Sequence, residues 1–105
     1  MYVSIMIVED NIVSAKLVVG LLQKAGYQTV LVNNGKEALE LLPTLCNIQL
    51  IITDYLMPEM NGIELIKHLK MVPSFSDIPV IILSAHCDVP TAKIARSLHC
   101  NGFLV

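Results

Sequence analysis

Apolar positions along the chain fall into two kinds of run. Continuous ones stand at "VSIMIV" (3–8), "IQLIIT" (48–53) and "PVIILS" (79–84). Runs of four to eight apolar residues, rich in β-branched side chains, predict strands buried on both faces. "YQTVLV" (27–32) alternates instead, as a strand nearer an edge does. "GFLV" (102–105) reads as a last, short strand. Between them the period changes. Ile12, Ala15, Val19 and Leu22 recur at spacings of three and four within 11–25, which predicts an amphipathic helix that Asp10 or Asn11 caps and Gly26 ends. "GKEALELL" (35–42) predicts a short helix stopped near Pro43, and "GIELIKHLKM" (62–71) one that turns Ile63, Ile66 and Leu69 inward. "PTAKIARSL" (90–98) opens with a proline, whose missing N–H costs nothing at a helix start.

Strand and helix therefore alternate as βαβαβαβαβ. Alternation with continuous apolar strands implies an α/β domain with a parallel sheet covered on both faces. The three greasiest strands belong at the centre and 27–32 at an edge. That fits a doubly wound five-stranded parallel sheet of order 2-1-3-4-5, whose ligands bind at the carboxyl ends of the strands.

Composition narrows the class. The chain has 105 residues, enough for one small domain over 1–105. Charged residues are 15%, against about 25% in an average soluble domain, so much of the chain must be buried. No apolar run approaches the roughly 18 residues of a membrane span, and "MYVSIMIVED" lacks the basic region and cleavage site of a signal peptide. A net charge of -2 gives no electrostatic footprint for nucleic acid. Cys46, Cys87 and Cys100 lack metal-ligand spacing and read as reduced, cytoplasmic thiols.

The acids fall where the fold binds ligands. Glu9 and Asp10 follow the first strand, Asp54 follows the third, and Ser84 ends the fourth. A single Asp at a strand end is most often a cap or a turn residue. Here two neighbouring central strands bring Glu9, Asp10 and Asp54 to one pocket. Three close carboxylates repel unless a cation sits between them, and hard oxygen ligands with room for water suit Mg²⁺. A metal there also neutralises an incoming phosphoryl group. The cluster is a candidate phosphoryl-transfer site with Asp54 as the nucleophile, and Ser84 is a candidate to bond a phosphoryl oxygen.

Four segments, "VEDN" (8–11), "IITDYLMPEMNG" (51–62), "ILSA" (82–85) and "NGFLV" (101–105), carry a resemblance that covers essentially the whole chain. It resembles the receiver domain of bacterial response regulators, as in two-component signalling. The Asp54 segment with Met57, Pro58 and Gly62 is its most specific piece. The resemblance implies that Asp54 accepts a phosphoryl group from a phosphohistidine on a histidine kinase or phosphotransfer domain. It implies that Asp10 binds Mg²⁺ directly, Glu9 through water, and Leu56 through its backbone carbonyl. Ser84 would bond the phosphoryl group, and Phe103 would change rotamer on activation. Met57 and Met60 read as simple loop packing. His86 lies near the pocket rim, and His68 and His99 read as exposed. The product is a signalling switch that takes part in its own phosphorylation and dephosphorylation, and its output is altered partner binding.

The family also carries a lysine at the end of the fifth strand and then a fifth helix. The sequence stops at Val105, and none of Lys16, Lys24, Lys36, Lys67, Lys70 or Lys93 matches that lysine. The final helix is thus absent from this chain. The expectation is a C-terminally incomplete receiver: either the polypeptide continues past residue 105, with an output domain conceivable beyond it, or two chains cover each other's bare face as a homodimer. The alternative function is a haloacid-dehalogenase-like phosphotransferase or phosphatase with an aspartyl-phosphate intermediate. It needs a second acid two residues past the nucleophile, where this chain has Leu56. A flavodoxin-type nucleotide module needs a phosphate loop after the first strand, where "EDNIVS" puts acids instead.

Overall fold

Four β-branched or otherwise apolar strands form the middle of the molecule: β1 (Ser4–Val8), β2 (Gln28–Val32), β3 (Ile48–Asp54) and β4 (Val80–Leu83). The structure is a computed structural model that describes residues 4–45, 47–54, 60–83 and 102–104. All pairings are parallel, and a three-residue β5 (Gly102–Leu104) joins beyond β4, so the sheet runs β2-β1-β3-β4-β5. Parallel neighbours need a crossover between them. The described crossovers carry helices α1 (Ile12–Lys24), α2 (Gly35–Leu41) and α3 (Gly62–Lys70). The helix expected at 90–98 lies outside the described residues.

Register sorts the strand residues into two faces, because residues paired across parallel strands point the same way. Val30, Met6, Ile51 and Val80 form one row, and Val32, Val8, Thr53 and Ile82 the next. These rows face α2 and α3, and their members pack with Ala38, Leu42, Ile63, Leu65, Ile66 and Leu69 as the main core. The opposite rows are Thr29, Ile5 and Leu50, then Leu31, Ile7, Ile52 and Ile81. They lie on the α1 side, where Gln23 Nε2 donates to Thr29 Oγ1 at 3.2 Å. Ile5 and Ile7 are buried there, yet Leu50, Ile52, Ile81 and Leu83 are only half-buried. Among the described residues, the cover expected on both faces from the continuous apolar strands is therefore complete on one. Among the described residues α1 is the one helix on the looser side.

Caps explain the helix boundaries. Asn11 Oδ1 accepts the Ser14 N–H at 3.0 Å and starts α1. Gly26, at φ 96°, follows the Ala25 C-cap in the left-handed region that glycine enters freely. Two further helices open on the same short pattern, "NGKE" (34–37) and "NGIE" (61–64). Asn34 Oδ1 accepts the Glu37 N–H at 2.8 Å. Asn61 Oδ1 accepts the Glu64 N–H at 2.9 Å while the Asn61 N–H donates to Glu64 Oε1 at 3.1 Å, a reciprocal capping box. Pro43 does not simply stop α2; it sits in a 3-10 turn, Leu42–Thr44, that continues from it. After α3, Lys70 Nζ donates to the Ser76 carbonyl at 2.8 Å and steadies the turns that lead into β4.

One inward assignment is corrected. Ile12 is 70% exposed, although its spacing from Ala15 placed it on the inner stripe. Helix α1 approaches the sheet through Ala15, its buried residue, with Val18, Val19 and Leu22 half-buried. Ile12, the first residue after the Asn11 cap, faces solvent. Ile63, Ile66 and Leu69 of α3 are buried as their spacing requires, and Leu65 joins them.

Candidate functional site

The site grows from the ends of two neighbouring strands. Val8 of β1 pairs with Thr53 of β3, so Glu9 and Asp54 leave the sheet at the same height. Glu9 is held by its own N–H, which donates to the Val32 carbonyl of β2 at 3.0 Å. Asp54 is the last residue of β3 and pairs with Leu83 of β4. Buried Thr53 donates from Oγ1 to the Asp54 carbonyl at 3.0 Å. Both acids thus stand on backbone fixed by the sheet. Rigid elements of this kind hold a reacting group more closely than a loop does.

Glu9, Asp10 and Asp54 each offer a carboxylate oxygen within 4.8 Å of the others. Glu9 and Asp54 are half-buried and Asp10 is exposed. Burial is the main cause that pushes the Glu9 carboxyl above the ordinary glutamate range. The Asn11 N–H, donating to Glu9 Oε1 at 3.0 Å, pulls the other way. The charges of Asp54 and Asp10 and a hydrogen bond shared with Asp54 raise it further. Two acids can share a hydrogen bond only when one keeps a proton. A divalent cation relieves the same repulsion without that proton. Three carboxylate oxygens converging at a partly open mouth fit a hard cation that retains water.

The structure brings together three of the residues singled out from sequence. Leu56 and Ser84 lie outside the described residues, as does His86. For Phe103 the backbone alone is described, paired with Ile82. Met60, read from sequence as loop packing, packs against the main core and gains in Gly35 a partner that the sequence reading did not name. Gly35 and Met60 meet beside the starts of α2 and α3, so closely that a Cβ on Gly35 would stand 2.8 Å from Met60 Sδ. The repeated Asn-Gly-x-Glu pattern was the available signal for two helix starts, though not for their contact.

No helix among the described residues is long and apolar enough to cross a membrane. Comparison with known proteins agrees with the geometry. The two-component response regulator ORR11 of Oryza sativa subsp. indica is 42% identical over 103 residues, which are 96% of this chain and 69% of that protein. ORR7 of Oryza sativa subsp. japonica is 42% identical over 94 residues, and there the match spans only 44% of the relative. Among solved structures, the receiver domain of a signal transduction histidine kinase from Syntrophus aciditrophicus is 39% identical, with a TM-score of 0.85 over 96% of this chain and 76% of that one. The Vibrio cholerae chemotaxis protein CheY4 superimposes with a TM-score of 0.92 at 27% identity, covering 100% of this chain and 87% of that one. The model of the response regulator receiver domain matches residues 5–105, and the chain belongs to that family.

Proposed function

We propose that the domain is a phosphorylation-controlled switch in which Asp54 accepts a phosphoryl group from a phosphohistidine of a histidine kinase or phosphotransfer domain. The observation that carries this reading is the convergence of Glu9, Asp10 and Asp54 at the carboxyl ends of β1 and β3. An Asp54 carboxylate oxygen forms the new bond to phosphorus. The bond from phosphorus to the imidazole nitrogen breaks, and the imidazole leaves with its electron pair. Asp10 would hold Mg²⁺ directly, Glu9 through water, and Asp54 and the Leu56 carbonyl would complete the protein ligands. Bound Mg²⁺ supplies the positive charge that lets an anionic donor approach three acids. Ser84 would bond the transferred group, and Phe103 would report it to the surface near β5. The domain turns over no separate substrate, and the reading sets it in the cytoplasm.

The haloacid-dehalogenase alternative gains no support. The family match is to receivers, and residue 56 is a leucine where that chemistry needs an acid.

The test is phosphorylation by acetyl phosphate with and without Mg²⁺, read by intact mass. The expected result is one added phosphoryl group in the parent with Mg²⁺, none with a chelator, and none in Asp54→Asn. Phosphorylation of Asp54→Asn at the parent's rate would move the acceptor elsewhere.

A further inference from the structure

Among the described residues two asparagines precede a glycine, Asn34 before Gly35 and Asn61 before Gly62. Each caps a helix, and each has the same extended ψ of 172°. An asparagine followed by glycine can modify itself, because no side chain on the glycine blocks approach to its nitrogen. The glycine amide nitrogen attacks the asparagine side-chain carbon Cγ. The N–Cγ bond forms, the Cγ–Nδ2 bond breaks, and ammonia leaves with the amide proton. Water then opens the five-membered imide. Cleavage at Cγ gives aspartate, and cleavage at the backbone carbonyl carbon gives isoaspartate. The ring closes only if the side chain leaves its cap and ψ leaves the extended value. That rotation also turns the asparagine carbonyl out of the first helical hydrogen bond, which it accepts from the Ala38 N–H at Asn34 and from the Leu65 N–H at Asn61. The rate therefore follows how readily the first turn opens.

The two turns differ. Behind Asn34 stand Gly35, exposed Lys36 and half-buried Glu37, so opening wets little apolar surface. Met60 lies on Gly35, but it is a flexible side chain and itself half-buried. The Asn34 side chain accepts the Glu37 N–H at 2.8 Å, while the Glu37 carboxylate turns to Asn33 Nδ2 at 3.4 Å. Behind Asn61 stand Ile63 and Leu65, both buried. There the reciprocal box adds the bond from the Asn61 N–H to Glu64 Oε1 at 3.1 Å.

We propose that Asn34 with Gly35 is a self-modification site, at which the folded chain accumulates aspartate and isoaspartate, while Asn61 is spared by its capping box and the apolar turn behind it. The inference stands on the two caps and does not need the function proposed above. One hydrogen bond shifts an opening equilibrium by about 2- to 10-fold. With the burial of Ile63 and Leu65 added, Asn34 should react at least about tenfold faster than Asn61.

The test incubates the whole chain in mildly alkaline buffer, folded and in urea, and follows the exchange of ammonia for water peptide by peptide. The sequence holds a third such pair at 101–102, whose asparagine lies outside the described residues, and its peptide is read separately. In urea Asn34 and Asn61 should react at comparable rates; in the folded chain Asn34 should lead by the stated factor. Glu64→Ala removes the acceptor of the Asn61 N–H. It should speed the reaction at Asn61 by about 2- to 10-fold and leave Asn34 unchanged. Equal rates in the folded chain, a faster Asn61, or an Asn34 that keeps its amide while the unfolded chain reacts overturns the proposal. An unchanged Asn61 in Glu64→Ala overturns the part given to the capping box. If Glu64→Ala does not fold, the parent's folded and urea rates decide alone.

Discussion

Helix α3 buries Gly62, Ile63, Leu65, Ile66 and Leu69 within nine residues, whereas α1, thirteen residues long, buries Ala15. The two lie against opposite faces of one sheet and differ in how they are held. In α3 every level agrees: a reciprocal cap starts it, its apolar residues share one side, and Lys67, His68 and Lys70 stand in the last turn, where cations suit the helix dipole. In α1 the apolar residues go nearly all round. Ile12, Val13, Leu17 and Leu21 are each more than 60% exposed. Helix pattern alone thus does not tell how much of a helix is buried. The partner surface decides: α1 meets β1 and β2, on the face where Leu50, Ile52, Ile81 and Leu83 stay half-buried, whereas α3 packs into the main core.

The largest expected difference tests the core side of this contrast. Ile66 is fully buried among strand residues and its own helix neighbours. Ile66→Ala removes buried methyl groups and leaves a cavity, which costs about 2–5 kcal/mol. That is a large share of the roughly 5–15 kcal/mol that holds a small domain together. Urea unfolding of parent and variant measures it. A cost below about 1 kcal/mol would mean that α3 is no better packed than α1.

Legibility from sequence follows the same division. The strand order was readable because "VSIMIV", "IQLIIT" and "PVIILS" are too apolar for an edge, and β2 alternates. The inner side of α3 was readable because charged Glu64, Lys67 and Lys70 leave one stripe for the core. The burial of α1 was readable in part: Ala15, Val19 and Leu22 of the expected stripe turn toward the sheet, but Ile12 does not, and Val13, Leu17, Val18 and Leu21 offer other stripes equally apolar. Ala15, the smallest of its apolar neighbours, is the one that lets the helix approach the sheet. At the site, three acids at two strand ends were enough to foresee Glu9, Asp10 and Asp54 together. The Gly35–Met60 contact was hidden because no periodicity says which side chain will cross to a neighbouring helix start.

Asp54 shares its sheet face with Ile52, by alternation, and so belongs to the looser side. This gives a second, intermediate test, in pH. The Glu9 pKa is raised in the folded chain, first by burial and then by Asp54 and Asp10. The folded state therefore holds more protons than the unfolded one between the ordinary glutamate pKa of about 4.3 and the raised value. Stability falls with pH wherever the folded state binds more protons. The contribution is fully present below the ordinary pKa and is lost as pH rises through the raised one. In a chelator, Glu9→Gln should gain stability relative to the parent as pH climbs from about 4 to about 7. Mg²⁺ should shrink that gain, because it favours ionised Glu9 in the parent. A parent-to-variant difference that stays constant with pH would show that Glu9 feels no such crowding.

The smallest expected effect tests the open side. Leu17 is 65% exposed on α1 and has no place in the main core. Truncating it removes little surface that folding had taken from water. Surface substitutions away from caps and buried networks stay within about 0.5 kcal/mol, and alanine's helix propensity is slightly better than leucine's. Leu17→Ala should therefore be near neutral in the same urea series in which Ile66→Ala is costly. The measurement is informative at two protein concentrations. A cost near zero at both leaves α1 as it stands here, wet on its outer side. A cost that grows with concentration would mean that copies of the chain cover the stripe, since association adds stability by mass action. A cost as large as that of Ile66→Ala in dilute solution would erase the contrast between the two helices altogether.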